Sequence, residues 1–328
     1  MTPRILITGA AGLIGSALAR LLAPQSALYV VEALGADQRW THLAGLDLAG
    51  FWPREAFLAG LETRPARLPR FDAIIHLGAS TSTTETDLDA VMRNNFAFTE
   101  ALARWALNRG IRFLYASSAA TYGAGEQGYA DDPATLPRLR PLNPYAFSKH
   151  AFDLWALRHG AFAGPGAITG LKYFNIFGPR EEHKGEMRSM VLKAFEQIQS
   201  AGAVRLFRSH RPEFADGDQR RDFLHVDDAA AITAWFLEHP EATGIFNVGS
   251  GVARTWNDLA RAAFGALGLP PRIEFIEMPA AIRAAYQYDT RADLTRLRAA
   301  GCQLPARSLE QGVRDYAAAL RPRAALRP

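Results

Sequence analysis

Near the middle of the 328-residue chain, Asn143-Pro144-Tyr145-Ala146-Phe147-Ser148-Lys149 sets a phenol four residues before an ammonium. Pro144 suits the first helical position, where its missing N–H costs nothing, and Asn143 is a favourable cap before it. A helix running on through Phe152, Leu154 and Trp155 then places Tyr145 and Lys149 one turn apart on the same face. A free phenol has a pKa of about 10, and lowering it by roughly 3 units takes on the order of 4 kcal/mol of preference for the phenolate. A nearby cation acts in that direction. Such a pair can pass a proton to and from a substrate alcohol. Taken alone, the same spacing also describes an ordinary helix surface.

Other segments offer parts of a nucleotide site. Gly9-Ala10-Ala11-Gly12-Leu13-Ile14-Gly15 lies between a short apolar run, Arg4–Thr8, and a helix bearing Leu18, Leu21 and Leu22. Its glycines allow a tight turn, close approach to a pyrophosphate and close helix–strand packing, and the helix start offers free N–H groups to phosphate. Glu32, at the end of the second strand, stands where a carboxylate holds an adenosine ribose. Arg39 and Arg54 follow, and a guanidinium there suits a 2′-phosphate, so both NAD and NADP remain open. His76-Leu77-Gly78-Ala79-Ser80 ends another strand with small residues that leave room for a cofactor. Ser80–Glu85 reads either as a polar active-site loop or as a cap run before a helix at Leu88. Ser117-Ser118-Ala119-Ala120-Thr121-Tyr122-Gly123 closes a fourth strand, and a hydroxyl there can bond a substrate alcohol and the Tyr145 oxygen.

The elements that position these groups follow from the hydrophobic pattern. Ala27–Glu32, Phe71–Leu77, Ile111–Ala116 and Ala167–Phe174 read as buried strands, with a helix across roughly 88–109. Continuous apolar strands alternating with helices give a parallel sheet covered on both faces. The fold class is therefore α/β, a Rossmann-type doubly wound parallel sheet with a smaller, mostly helical substrate-binding lobe. Residues 1–178 with about 221–250 form the dinucleotide-binding lobe, about 179–220 with 251–320 the second lobe, and 321–328 a tail. Ser209–Gln219 reads as a long polar loop, and one late strand is expected near Ile273–Ile276. Function belongs in the cleft between the lobes, at the carboxyl ends of the strands.

Composition narrows the classes. Apolar residues make up 48% and charged residues 21%, ordinary for a globular protein. The net charge of +4 comes from dispersed arginines with no basic block interleaved with aromatics, so nucleic acid is not expected. The first apolar run breaks at Gly9, too short for a signal core or a membrane span. With a single cysteine, Cys302, the expected place is the cytoplasm, and no metal is expected.

In their order and separations, the glycine loop, Ser118 and Tyr145-x-x-x-Lys149 resemble the extended short-chain dehydrogenases/reductases, the NAD-dependent epimerases and dehydratases. A narrower resemblance covers nearly the full chain, to the epimerases of that family that act at C6 of an ADP-linked heptose for lipopolysaccharide core. It lies in Ser82–Glu85, Tyr115–Gly123, Lys172–Glu181, Arg221–Phe223, Gly244–Asn247, Tyr286-Gln287 and Leu297–Gly301. His183-Lys184-Gly185 is its discriminating element, since most sugar-nucleotide epimerases of this fold lack it.

The resemblance implies two acid/base groups, Tyr145 and Lys184, with Lys149 holding the nicotinamide ribose and Ser118 positioning substrate. It implies NADP, with NAD possible, bound by Gly9, Ala11, Gly12, Leu13, Ile14, Gly15, Glu32, Ala33, Arg39 and Arg54. Leu77, Gly78, Ala79, Ser80, Thr81, Asn94 and Ile176 complete that set, together with Tyr145, Lys149 and Lys184. For the ADP-heptose it implies Ser82, Thr83, Ser118, Asn175, Glu186, Lys193, Phe207, Arg208, Ser209, His210, Arg221 and Tyr286. It also implies a homo-oligomer. This chain departs from the family pattern at Glu186, usually serine, at Lys193, often histidine, and at Glu32-Ala33, in place of an Asp-Asn pair. An insertion around His210–Gln219 lengthens the loop before Arg221. Two other readings stay open: a sugar-nucleotide epimerase, dehydratase or reductase using another nucleotide, and a non-catalytic dinucleotide sensor. A dehydratase wants an acidic pair beside the serine, which Ala119-Ala120 do not supply.

Overall fold

The computed structural model describes residues 2–81, 85, 87–164, 166–283 and 286–324; Ser82 and Thr83, expected at the substrate, lie outside the described residues. Its strands are β1 Arg4–Thr8, β2 Ala27–Glu32, β3 Leu48–Pro53, β4 Ala73–His76, β5 Arg112–Ser118, β6 Thr169–Tyr173, β7 Asn175–Phe177, β8 Val204–Phe207, β9 Arg220–His225, β10 Gly244–Val248, β11 Ala253–Thr255 and β12 Ile273–Ile276. Its helices are α1 Leu13–Leu22, α2 Arg54–Thr63, α3 Leu88–Met92, α4 Phe98–Leu107, α5 Pro144–Arg158, α6 Met190–Ala201, α7 Val226–Glu238, α8 Trp256–Leu267, α9 Ala280–Arg283, α10 Thr295–Ala299 and α11 Leu309–Ala324.

Seven strands form one parallel sheet in the order β10-β6-β5-β4-β1-β2-β3. Its central strands are buried along nearly their whole length because helices cover both faces. Ile5 and Ile7 face a core shared with α1 and α7. Leu6, between them, faces the opposite core, built on Leu102 and Trp105 of α4 and Phe152 and Trp155 of α5. Each such fully buried side chain contributes about 1.5–3 kcal/mol. The chain leaves β1 toward β2 on one side, and β4 toward β5 on the other. That reversal opens a crevice at the carboxyl ends of β1 and β4.

The second lobe packs α6, α8 and α11 around Val191, Phe195, Leu259, Phe264 and Tyr316, against the parallel pair β8 and β12. Within 221–250, α7 and β10 join the large core, whereas β9 pairs with β7 and β11 and contributes Phe223 to one core and Leu224 to the other. Ser209–Gln219 connects β8 to β9 without a regular element. Residues 321–324, expected as the start of the tail, instead close α11.

Two local features depart from the sequence pattern. β3 was not expected: Gly50 and Pro53 both tell against a strand. They are tolerated because β3 is the sheet edge, and because a side chain at Gly50 would collide with the Tyr29 ring, 2.8 Å from its Cβ position. The helix over 88–109 is interrupted by a π-helical turn at Arg93–Ala97, a distortion often found at functional sites.

Candidate active site

The glycine loop closes over the end of β1. Gly9 has φ +73°, and a Cβ there would lie 2.5 Å from the Gly78 nitrogen, so β1 and β4 can approach this closely only without side chains. A Cβ at Gly15 would strike the Gly9 carbonyl, which fixes how closely α1 packs on the loop. Gly12 caps α1 with no side-chain bond to the first turn, leaving those N–H groups available to an anion. Glu32 is buried and accepts from Ala11 N at 2.8 Å and Ala33 N at 2.9 Å. The carboxylate thereby joins the end of β2 to the glycine loop. Small residues at a close backbone approach, a helix start and a buried carboxylate in this order fit a dinucleotide.

The π-turn adds a residue that sequence reasoning missed. Asn95, buried, bonds both the N–H (2.8 Å) and C=O (2.9 Å) of Ser80 and reaches Ser148 of α5 at 2.9 Å. Its neighbour Asn94 donates to the Ser80 hydroxyl and accepts from Arg54 at 2.8 Å. One helical distortion thus fixes the β4 loop against the helix that carries Tyr145.

On α5, Asn143 caps the helix through Ala146 N, with Pro144 at the first position, as its sequence implies. Lys149 is buried and donates to the Ala116 carbonyl at 2.8 Å; burial lowers its pKa to about 8, against the opposing charge of Asp153. Burial pushes the Tyr145 phenol up, while its hydrogen bond with Ser118 acts the other way. Burial is the larger of these influences and favours the neutral phenol.

Lys184 arrives from the connection between β7 and α6. Arg180, the one non-glycine residue with positive φ (73°) among the described residues, turns this segment and bonds Ser16 of α1 at 3.1 Å. His183 packs edge-on against His42, centroids 5.3 Å apart, and His42 bonds the Ala11 carbonyl of the glycine loop at 2.7 Å. Buried Glu181 accepts from the Ser189 N–H and hydroxyl, both at 2.6 Å, holding the far end of the segment. Burial lowers the Lys184 pKa, with the Glu181 charge opposing, and its ammonium has no hydrogen-bond partner among the described residues. It is free to meet a ligand.

A cleft of about 1030 Å³ runs from the glycine loop to the second lobe, large enough for a dinucleotide and a nucleotide sugar. Tyr145, Lys149, Lys184 and Ser118 all line it. So do Gly9, Gly12, Leu13, Ile14, Gly15, Glu32, Ala33, Arg39, Arg54, Leu77, Gly78, Ala79, Ser80, Thr81, Asn94 and Ile176, with Asn175, Glu186, Lys193 and Tyr286 toward the second lobe. Ala11 lies beneath, fully buried, and serves through its backbone. Arg221 is buried behind the lining, its guanidinium 5.1 Å from the Tyr286 ring and 5.4 Å from Trp256. Phe207, Arg208, Ser209 and His210 do not line this cleft. Arg208 and the Ser209 N–H are tied to Asp216 within their own long loop, the His210 N–H donates to Tyr288 at 3.0 Å, and Phe207 packs on the lining residue Tyr286, centroids 6.3 Å apart. The two departures at 186 and 193 belong together: Lys193 donates to the Glu186 carbonyl at 2.6 Å and pairs with its carboxylate at 3.3 Å.

The sequence profile of the NAD dependent epimerase/dehydratase family matches residues 5–249. A protein of Nitratidesulfovibrio vulgaris strain DP4 named ADP-L-glycero-D-manno-heptose-6-epimerase is 44% identical over 314 residues, 95% of this chain and 96% of that protein. A protein of the same name from Alkalilimnicola ehrlichii is 41% identical over 326 residues, 99% of each chain. The crystal structure of the Helicobacter pylori ADP-L-glycero-D-manno-heptose-6-epimerase superposes with a TM-score of 0.80 at 26% identity, covering 98% of this chain and 96% of that one. A Thermotoga maritima UDP-glucose 4-epimerase shares the fold, with a TM-score of 0.79 at 23% identity.

Proposed function

The chain belongs to the NAD dependent epimerase/dehydratase family, and from that premise we propose that it inverts C6 of ADP-D-glycero-D-manno-heptose to give the L-glycero epimer, a precursor of lipopolysaccharide core. The observation that supports this most is that Tyr145 and Lys184, carried by two separate elements, line the same cleft. Inverting a carbinol by redox needs a hydride removed from one face and returned to the other. The glycine loop, Glu32 and Lys149 would hold a nicotinamide cofactor, which would supply reversible hydride acceptance. Each alcohol epimer needs its own proton partner. Tyr145, held by Ser118, serves one. Lys184, held by the Glu181 carbonyl and by the neighbouring His183–His42 contact, serves the other.

We assign NADP rather than NAD because Arg39 and Arg54 both line the cleft past Glu32. Their charges are already engaged, Arg39 by Asp37 at 2.8 Å and Arg54 by Glu55 at 2.7 Å, which orients both guanidinia. By resemblance the protein works in the cytoplasm as a homo-oligomer; no helix among the described residues is long and apolar enough to cross a membrane. Light scattering tests the assembly. A panel of ADP-, GDP-, UDP- and dTDP-sugars tests the substrate. The proposal predicts turnover of the ADP-heptose alone, and faster turnover of another nucleotide sugar would overturn it.

A further inference from the structure

Asp153 lies one turn beyond Lys149 and two beyond Tyr145 on the same face of α5. Its side chain is fully buried, and both oxygens are engaged. Tyr115 donates to one at 2.8 Å; Ser117 donates to the other at 2.7 Å, and Lys172 of β6 pairs with that oxygen at 3.1 Å. Lys172, equally buried, also donates to the Thr121 hydroxyl and lies 4.6 Å from the centre of the Tyr122 ring. The cluster ties α5, which carries Tyr145 and Lys149, to the strand that ends in Ser118 and to the strand that leads into Asn175.

Lysine usage independently marks the same place. The sequence has four lysines against 33 arginines. Lys149, Lys184 and Lys193 line the cleft, and the fourth, Lys172, sits directly beneath it. Where a surface cation suffices, this chain uses arginine. A compact ammonium whose pKa responds to burial is what arginine cannot replace.

A buried ion pair is poor evidence for stability, since desolvating two charges cancels most of their attraction. We propose that Asp153, partnered by Lys172, is a positioning residue whose fixed negative charge keeps Lys149 protonated in the buried site. Lys149 lies between two influences. Desolvation drives its proton off, while Asp153 opposes it. The other titratable groups around it are Tyr145 and His150 on α5, Tyr115 on β5, Lys172 on β6 and His76 on β4. His76 is buried between Thr8 and Thr99 and neutral, its pKa about 3. Tyr115 is held as the phenol by burial and by Asp153. Among these groups Asp153 supplies the negative charge.

The role in turnover rests on the epimerase reading, so the test uses a signal that needs no substrate. Protein labelled with 13C at lysine Cε gives four resonances, assigned by replacing one lysine at a time with arginine. In Asp153→Asn the Lys149 titration midpoint falls by about one pH unit. That variant also leaves Lys172 buried without a counter-charge and melts lower, so Asp153→Asn with Lys172→Met is measured beside it. The double variant regains stability yet keeps the lowered midpoint, and Asp153→Glu titrates as the parent does. An unmoved Lys149 midpoint in the folded double variant would show that the pair only holds the fold, overturning the proposal. Failure to turn over ADP-heptose would leave this titration intact and would count against the substrate alone.

Discussion

Replacing Gly9 with alanine separates the two demands made on that residue. Its φ of +73° lies in the left-handed region, which costs a residue with a Cβ about 1–2 kcal/mol. The new methyl would also sit 2.5 Å from the Gly78 nitrogen and 2.6 Å from its Cα. Both are backbone atoms of the loop that follows β4, so the ends of β1 and β4 must spread at the head of the crevice, at about 1–3 kcal/mol more. Gly45 is the internal control: its φ is +79°, and nothing lies within 4 Å of its Cβ position. Gly45→Ala should lose only the backbone term, a shift of a few degrees in Tm, and should keep its cofactor. Gly9→Ala should melt lower still. It should also emerge from gel filtration without nucleotide, since about 2 kcal/mol of crevice distortion weakens binding some thirtyfold. The assay is acid release and quantitation of cofactor, beside a thermal melt. A Gly9→Ala protein that holds cofactor as the parent does and melts with Gly45→Ala would refute the cradle.

Arg39→Ala should weaken NADP more than NAD, by about tenfold or more for one charge-assisted contact; equal losses by calorimetry would favour NAD as the cofactor. Lys149 sheds its charge as pH rises through about 8. Because the charged form is the one that favours the phenolate, turnover should fall on the alkaline side, with a midpoint near that value; a profile flat to pH 10 or so would deny Lys149 that role. Asn95→Ala removes three hydrogen bonds linking Ser80 and Ser148, at about 2–4 kcal/mol. It should raise the KM for cofactor as well as lower Tm, and a pure Tm effect would confine Asn95 to structure. Glu186→Ala breaks an exposed pair and should change stability by less than about 1 kcal/mol, so any change in its kinetics reports on substrate.

Where local chemistry dictates conformation, the sequence was readable. The Asn143 cap, Pro144 start and Tyr145/Lys149 face follow from helix rules alone, and the buried strands follow from continuous apolar runs. Gly9 and Gly15 stand where a neighbouring backbone leaves no room for a Cβ, and Gly12 caps α1. The features that escaped depend on tertiary context. Gly50 and Pro53 look unlike a strand until Tyr29 and the sheet edge explain them. The π-turn at Arg93–Ala97 has no periodicity signal, so Asn95 appeared as one more helical residue. Residues 207–210 were expected near the ligand by resemblance, yet Asp216 in the lengthened loop holds Arg208 and Ser209, and the His210 N–H donates to Tyr288. Glu186, a departure from the family's usual serine, pairs with Lys193 seven residues on, itself a departure, a link that the sequence reading did not draw. The scarcity of lysine was visible from the start and would have singled out Lys172.

Hydride return assisted by two bases is the central step of the proposed reaction. Purified protein incubated in D2O with ADP-D-glycero-D-manno-heptose, followed by proton NMR, tests that directly. The expected result is interconversion of the two C6 epimers with no deuterium entering C6. Tyr145→Phe with Lys184→Met should abolish interconversion while cofactor stays bound. Deuterium at C6, or full activity in the double variant, would contradict hydride return assisted by these two bases.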